Sequence, residues 1–578
     1  MTRPLPDELA SRLRTSLSAA GLEPPAGLDL AVVVSQDLRF GDYQSNLAMA
    51  LAKATRANPR ETAGRIVAAF DPTGLCAPPA IAGPGFINFR ILPEAWAAKV
   101  AGILRDDHCG VPPAAPSHRI VVDFSAPNVA KPMHVGHIRS TIIGDTLARV
   151  ARFLGHDVIT DNHIGDWGTQ FGMIIHGWKT ILDPSALAAD PIHELLRVYK
   201  EVNALAKADP AVIETCRREL VALQQGDAAN LAIWRQCVEV SKTGLQRIYD
   251  RLGIRFDHWL GESFYNDRLA PLVERLRAAG IATESDGALC VFFPDHPRLA
   301  DKPCLVRKAD GGFLYATTDL ATIDFRLGEW NADEVWYVVG APQQLHFQQL
   351  FEVVRRTGRN PRLVHIAHGS ILGQDRKLMK TRSGDNVQLV DVLDEAVARA
   401  RAVVEAKNPD LPEDEKQSIS TAVGLGAVKF AELSQHRMTD YIFSWEKMLA
   451  LHGDTAPYLQ YSCVRVRSIF RKLEGPAPAF ATLDPAGLVL QAPEEIALAR
   501  QLARFAEVVP AALDDHRPNL LAAFVLELAA AFHAFFAACP VLKAGEPART
   551  TRLALCAATD KVLTTGLGLL GIGVPDRM

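Results

Sequence analysis

One stretch constrains the chain more than any other: residues 120–172, IVVDFSAPNVAKPMHVGHIRSTIIGDTLARVARFLGHDVITDNHIGDWGTQFG. It opens with a short apolar run, Ile120 to Phe124, of the kind that forms a strand covered on both faces in a parallel sheet. A loop follows, carrying Asn128, Lys131 and the quartet His134-Val135-Gly136-His137. Beyond it Ile138, Ile142, Ile143, Leu147, Val150 and Leu154 recur at helical spacing, and Gly155 serves as a stop. Val158 to Thr160 begins the next strand. In an open α/β sheet, ligands bind where a strand gives way to a helix, beside helix N–H groups that favour phosphate.

The residues at that transition suit phosphate chemistry. Gly136 lets a nucleotide lie close to the backbone. His134 and His137 can donate to phosphate oxygens whose charge changes in a transition state. Lys131 adds a mobile cation. Taken alone, two histidines at this spacing fit a surface pair or a metal pair equally well. The longer strings are more specific. SAPNVAKPMHVGHIRSTIIGD followed by NHIGDWGTQFG resembles the signature region of arginyl-tRNA synthetases, a class I aminoacyl-tRNA synthetase family, and His134–His137 fits the HIGH motif of that class.

A chain of 578 residues is long enough for several domains with real cores. Hydrophobic residues make up 48% and charged residues 22%, as in ordinary globular proteins. The start, MTRPLPDELASRLRTSL, has no apolar segment of the signal-peptide kind. Leu520 to Cys539 is the most apolar stretch, but Glu527 and His533 cross it, which suits a buried helix better than a membrane span. Nine cysteines lie between Cys76 and Cys556 without a CxxC pair. That spacing argues against a zinc site or a disulfide framework and suits a reducing cytoplasm. The net charge of −4 argues against bulk RNA binding while leaving room for a local basic face.

The expected fold class is multidomain α/β. Residues 1–115 read as an N-terminal α/β module, with a helix near Pro6–Leu22, a turn-rich Phe40–Asn46, a helix through Leu47–Ala54 and a turn into a strand at Gly83–Phe89. Pro112, Pro113 and Pro116 mark a linker. FGDYQSN and GPGFINF resemble the N-terminal additional domain of the family, which implies tRNA binding there. By that resemblance Phe86 stacks on a base and Asn88 hydrogen-bonds one; a core phenylalanine and a turn asparagine are the alternative. Residues 117–390 read as a Rossmann-like class I catalytic domain, with halves at about 117–180 and 302–390 and a mostly helical insertion at about 180–301 that ends in a strand, Gly287–Phe293. Residues 391–452 form a helical junction, and 453–578 an all-helical bundle. Tyr458 and Tyr461 share one face of a helix that also carries Arg465, Arg467, Arg471 and Lys472. Aromatics beside cations hold single-stranded RNA, though an ordinary amphipathic helix looks the same. The segment is similar to the family's anticodon-binding domain, and the ending Val574–Met578 places Met578 with the tRNA-binding residues.

In the second half of the sheet, Cys304–Lys308 and Phe313–Ala316 flank Asp310-Gly311-Gly312, which predicts a hairpin. Thr317 or Thr318 caps the helix that follows. Val335–Val339 and Leu363–His368 read as strands. The loop after them places four cations within Arg376–Arg382. It resembles the family's KMSKS loop: Lys377 and Lys380 match its lysines by spacing, and Thr381 stands for the last serine. Leu378 and Met379 depart from the pattern.

A guanidinium ligand needs carboxylates, because its planar fork pairs them bidentately. Tyr315 and Asp319 lie at the expected end of a strand and start of a helix, where a plain helix N-terminal aspartate is also common. The resemblance implies that Asp319 and Glu262 neutralise arginine's guanidinium, that Tyr315 packs on its side chain, and that Asn128 and Gln343 hold its backbone end. Ala126 stands where many relatives have serine. For ATP it implies His134, Gly136, His137, His346, Met379 and Lys380, with Lys131, Lys377 and Lys380 on the pyrophosphate. The implied activity is arginine–tRNA ligation, with ATP as substrate, Mg²⁺ accompanying it, and no zinc or other bound metal. The implied partners are tRNA(Arg), L-arginine and ATP, without DNA or membrane, for a cytoplasmic monomer. A nucleotidyltransferase of the same fold that binds no tRNA would leave the N-terminal module and the aromatic, basic C-terminal helix unexplained. A non-catalytic RNA-binding relative would not need His134, His137, Lys377 and Lys380.

Overall fold

The computed structural model describes residues 3–25, 27–373, 377, 387–450 and 453–578. They form two compact units. One comprises Met1–Ala114, Leu451–Leu569 and Gly573–Met578; the other comprises Ala115–Ala450 and Leu570–Ile572.

The second unit is organised on a parallel sheet in the spatial order Arg362–His365, Glu334–Tyr337, Arg119–Asp123, Asp157–Asp161. Val121 lies opposite Val335 on one side and Ile159 on the other. Ile120, Val121, Val122 and Val335 are each at most 1% exposed, because helices cover both faces of a parallel sheet. The helix His137–Phe153 carries the chain between the strands Arg119–Asp123 and Asp157–Asp161. A Cβ on its Gly144 would come within 2.3 Å of Phe124, so the glycine lets the helix settle against the end of the strand. The two central strands belong to different halves of the sequence, and the chain leaves them toward opposite edges. The crevice beyond their carboxyl ends is the switch point of the sheet.

The insertion consists of helices from Gln170–Thr180 to Ala228–Leu252, followed by an antiparallel sheet of Thr283–Ser285, Ala288–Val291 and Cys304–Arg307. The hairpin expected around Asp310-Gly311-Gly312 does not form. Cys304–Arg307 pairs instead with Ala288–Val291. The glycine turn, closed by Lys308 N–H donating to Gly312 O at 2.9 Å, leads into the helix Tyr315–Gly328. Tyr315 therefore opens a helix and ends no strand. A glycine turn reverses the chain whichever element follows it.

In the first unit, strands Val32–Val34, Tyr43–Ser45, Phe86–Phe89 and Ala80–Ala82 form an antiparallel sheet in that order. The Tyr43 hydroxyl donates to Glu507 Oε1 at 2.6 Å, and Arg500 pairs with Asp42 at 3.2 Å, tying this sheet to the C-terminal helices. Among the described residues, Pro518–Ala538 is the one helix long and apolar enough to cross a membrane. It packs Leu521, Phe524, Val525, Leu528, Phe532 and Phe535 inside the helical bundle, each at most 2% exposed.

Candidate active site

The loop beyond Asp123 is held in an uncommon backbone path. Ser125 and Ala126 both adopt positive φ, 70° and 43°, which side-chain-bearing residues keep only when neighbours over-determine them. Here they do. Ser125 N–H donates to Ser140 Oγ at 2.8 Å, Thr141 donates to Ser125 Oγ at 2.8 Å, and Ala126 N–H donates to Asn162 Oδ1 at 3.2 Å. The loop then bridges to the segment after Asp161: Val129 N–H donates to Gly165 O at 3.0 Å, and Gly165 N–H to Pro127 O at 3.1 Å. A Cβ at Gly165 would strike Asn128 Oδ1 at 2.3 Å, so glycine there leaves the exposed Asn128 side chain its place.

His134 and His137 stand with ring centroids 4.0 Å apart. Gly136 N–H points at His134 Nδ1 (3.1 Å), and His134 N–H at His137 Nδ1 (3.1 Å). His134 Nδ1 accepts, so the neutral His134 ring carries its proton on Nε2 as a donor; His137 Nδ1 also lies 3.2 Å from His134 O, within reach of donating to it. Burial, and then the neighbouring His134, push His137 down to about 4; burial also lowers His134. The pair is neutral at physiological pH. A Cβ on Gly136 would lie 2.8 Å from the His134 ring, so no other residue leaves this ring in place. His137 is the first residue of its helix; its N–H donates to His134 O at 2.9 Å, and that of Ile138 to Val135 O at 3.1 Å. The Lys131 ammonium lies 4.7 Å from the Tyr199 ring centre. The segment after the cationic loop returns to this point: Val135 N–H donates to Val387 O and Leu389 N–H to Met133 O, both at 2.9 Å. Lys377 is exposed, and its carbonyl accepts from Gly373 N–H at 2.8 Å. Met379, Lys380 and Thr381 lie outside the described residues.

The expected amino-acid residues come from four segments of the same unit. Tyr315 is 67% exposed at the start of its helix, and Asp319 follows one turn later. Glu262 opens the short turn Glu262–Tyr265. Burial pushes it up to about 7; Asp166 and Asp319 push the same way and His163 opposes them. Glu262 and Asp319 are thus close enough to feel each other's charge. Gln343 is exposed in the turn Ala341–Gln343 after the strand Glu334–Tyr337, and Asn128 is exposed in the loop after Arg119–Asp123. His346 Nε2 lies 2.5 Å from Asp319 Oδ2, so the expected ATP residue and the expected arginine residue touch.

Several residues that sequence reasoning passed over hold this arrangement. Asp166 accepts from Ser263 N–H at 2.8 Å and from Ser263 Oγ at 2.7 Å, fixing the turn that carries Glu262. A Cβ on Gly261 would meet the same carboxylate at 2.4 Å. His163 sits against Leu260 O at 2.9 Å, among the carboxylates of Glu262, Asp166 and Asp123. Arg326, fully buried, pairs through Nη2 with Asp123 and Asp161, both at 2.7 Å, and so ties the helix of Asp319 to the ends of two strands. His163 and Asp166 belong to the quoted NHIGDWGTQFG string, but their partners lie about a hundred residues away in sequence and carry no local signal.

In the other unit, Phe86 is half-buried, and Asn88 is 4% exposed on a strand paired on both sides. Tyr461 is 42% exposed. Tyr458 stacks on His533, with ring centres 5.3 Å apart, and the Arg465 guanidinium covers Phe536 at 4.9 Å. Arg467 is neutralised by Asp560 at 3.0 Å and Asp576 at 3.4 Å, so it adds no free cation to that helix. Met578 is half-buried. Among the described residues no group of three or more His, Cys, Asp or Glu is arranged to hold a metal ion.

Comparison with known proteins places most of the chain within three family models. Residues 99–445 match the family of class I (R) tRNA synthetase catalytic domains, residues 459–578 the DALR anticodon binding domain, and residues 7–91 the arginyl tRNA synthetase N terminal domain. Arginine–tRNA ligases of Synechococcus elongatus and Thermobifida fusca are each 44% identical, over 99% of this chain and 99% of theirs. The arginyl-tRNA synthetase structure from Plasmodium falciparum superposes with a TM-score of 0.86 at 26% identity, covering 100% of both chains. That from Thermus thermophilus gives 0.82 at 26% identity, covering 99% of this chain and 100% of its own. The chain belongs to the arginyl-tRNA synthetase family of class I aminoacyl-tRNA synthetases.

Proposed function

We propose that the crevice at the switch point joins L-arginine to ATP and passes it to tRNA(Arg). An oxygen of the arginine carboxylate attacks the α-phosphorus; the bond to the bridging oxygen breaks, and diphosphate leaves with its electron pair. A hydroxyl of the terminal ribose of the tRNA then attacks the arginyl carbonyl carbon, and AMP leaves. The observation that carries the reading is the pair of imidazoles of His134 and His137, ring centres 4.0 Å apart at a helix start beyond the central strand, in the same unit as the carboxylates of Glu262 and Asp319.

In this reading His134 and His137 donate to the α-phosphate as its charge builds. Donors fixed in place before the reaction cost no reorganisation when it occurs. Gly136 leaves room for the nucleotide. Lys131 and Lys377 stabilise the leaving diphosphate, as does Lys380, assigned by spacing alone. Mg²⁺ arrives with ATP as part of the substrate, since it is usually held by phosphates and a few ligands rather than by a protein cage. Asp319 and Glu262 pair with the guanidinium, Tyr315 packs on the arginine side chain, and Asn128 and Gln343 hold its amino and carboxylate groups. His346 and Met379 contact ATP. Phe86, Tyr458, Tyr461 and Met578 contact the tRNA; the exposed Tyr461 and the half-buried Tyr458 are suited to unpaired bases. The family resemblance adds that tRNA must be bound before adenylate forms. The protein acts as a cytoplasmic monomer.

Aminoacylation of total tRNA, run separately with each of the twenty amino acids, tests the reading. Charging with arginine alone is expected. Charging with another amino acid, or adenylate formation with no transfer to tRNA, contradicts it.

A further inference from the structure

Arg139 lies two residues beyond His137, in the first turn of the same helix, and is 1% exposed. Its Nε donates to the Glu432 carboxylate, which is fully buried on the helix Glu413–Leu433. Its Nη1 donates to Thr439 O at 2.8 Å, and its guanidinium stands 5.4 Å from the Tyr441 ring centre. Among the described residues, Arg139 Nη2 and Glu432 Oε2 are buried without a hydrogen-bond partner, so a single Nε contact joins the two side chains.

Tyr441 begins the short strand Tyr441–Ile442, which pairs in parallel with Ile371–Leu372. The seam continues on either side. Arg437 donates to Ala367 O at 2.6 Å, Gly369 N–H to Arg437 O at 2.9 Å, Tyr441 N–H to Ser370 O at 3.2 Å and Phe443 N–H to Leu372 O at 3.1 Å. The Asp440 carboxylate accepts from Ser370 N–H. A Cβ on Gly369 would meet that carboxylate at 2.6 Å, so the glycine is what lets the two segments close. Ile371–Leu372 ends at Gly373, whose N–H is bonded to Lys377 O. A path of hydrogen bonds and one ring contact therefore runs from the helix turn of His137, through the buried Arg139, the exposed Thr439 and the half-buried Tyr441, to the strand that delivers Lys377.

A buried ion pair is a poor way to gain stability, because desolvating both charges offsets their attraction and an apolar pair of the same size packs as well or better. What an arginine–carboxylate pair supplies is direction: the planar fork fixes its partners at set angles. We infer that Arg139 and Glu432 are positioning residues for adenylate formation, setting the separation between the two imidazoles and the strand that carries Lys377. The inference rests on the phosphate roles proposed above for His137 and Lys377.

The test uses full-length protein with tRNA present. It measures ATP–diphosphate exchange, arginine binding by calorimetry, and thermal unfolding. The double variant Arg139→Met, Glu432→Met should melt no lower than wild type and bind arginine unchanged. Its exchange kcat should fall by roughly 100-fold, the cost of a misplacement of about 1 Å. Arg139→Lys, which keeps the charge and loses the fork, should fall between the two. A folded double variant with wild-type kcat would show the pair to be core filling and overturn the inference. So would parallel losses of arginine affinity and kcat, since these mark a general disturbance. If the double variant does not fold, Arg139→Lys decides: keeping the charge without the fork should lower kcat several-fold at unchanged arginine affinity, and an unchanged kcat overturns the inference. His137→Ala is the control for the underlying reading. If that variant keeps full exchange, the site assignment fails; if it loses exchange while the Arg139 variants do not, only this inference fails.

Discussion

Asp319 Oδ2 and His346 Nε2 lie 2.5 Å apart, so the carboxylate assigned to the guanidinium already engages one oxygen with a neighbouring side chain. A guanidinium at Asp319 competes with that imidazole for the carboxylate. His346→Ala removes the competitor. Its arginine affinity should rise by up to about tenfold, the worth of a hydrogen bond to a charged group, while the KM for ATP increases. Calorimetry with arginine alone and exchange kinetics in ATP separate the two effects. An unchanged arginine affinity would mean that the contact does not compete with substrate.

Glu262 gives the pocket a pH dependence. Burial and the neighbouring carboxylates push it up to about 7, whereas a guanidinium pairs with the carboxylate and not with the acid. Below pH 7 most Glu262 side chains must lose a proton before pairing; above it they need not. Arginine affinity should therefore rise with pH through 7 and level off above, changing by at most about tenfold per unit on the acid side. Dissociation constants measured from pH 6 to pH 8 on wild type and Glu262→Gln check this. The variant should bind more weakly and lose most of the slope. An equal slope in both would assign the titration to another group.

The parallel sheet was legible because its strands are nearly continuous apolar runs and the helix between them keeps one spacing from Ile138 to Leu154. The hairpin was misread because Asp310-Gly311-Gly312 specifies a reversal and not the element after it; whether Tyr315 continues a strand or starts a helix is decided by what Cys304–Arg307 pairs with. His134, Gly136 and His137 were legible as a local motif, and the structure adds why the glycine is needed: the ring beside it leaves no room for a Cβ. Arg139 and Glu432 were not legible, since they lie 293 residues apart and each alone reads as an ordinary helix residue. One cation of the C-terminal helix, Arg467, is paired with Asp560 and Asp576, and nothing local in the sequence signals that pairing.

Tyr458 tests the RNA-facing side. Its ring stacks on His533 and is only half-buried, so removing it should leave the bundle folded. Tyr458→Ala should weaken tRNA binding by about 1–3 kcal/mol, the usual loss of one base–aromatic stack. Filter binding with tRNA(Arg), alongside thermal unfolding, measures both. Wild-type affinity, or loss of the fold, would make the ring a packing residue.

The central claim is that this pocket selects its amino acid by charge, and Asp319→Asn tests it most directly. The variant keeps the size of the side chain and removes its charge, leaving a desolvated guanidinium short of a partner. Calorimetry on wild type and variant, with tRNA present, compares arginine with citrulline, whose ureido group is neutral. Arginine binding should weaken by roughly 3–5 kcal/mol, as when a buried ion pair loses one member. Citrulline should lose much less, and ATP binding should change little. Equal losses for arginine and citrulline, or no loss for either, would contradict the claim.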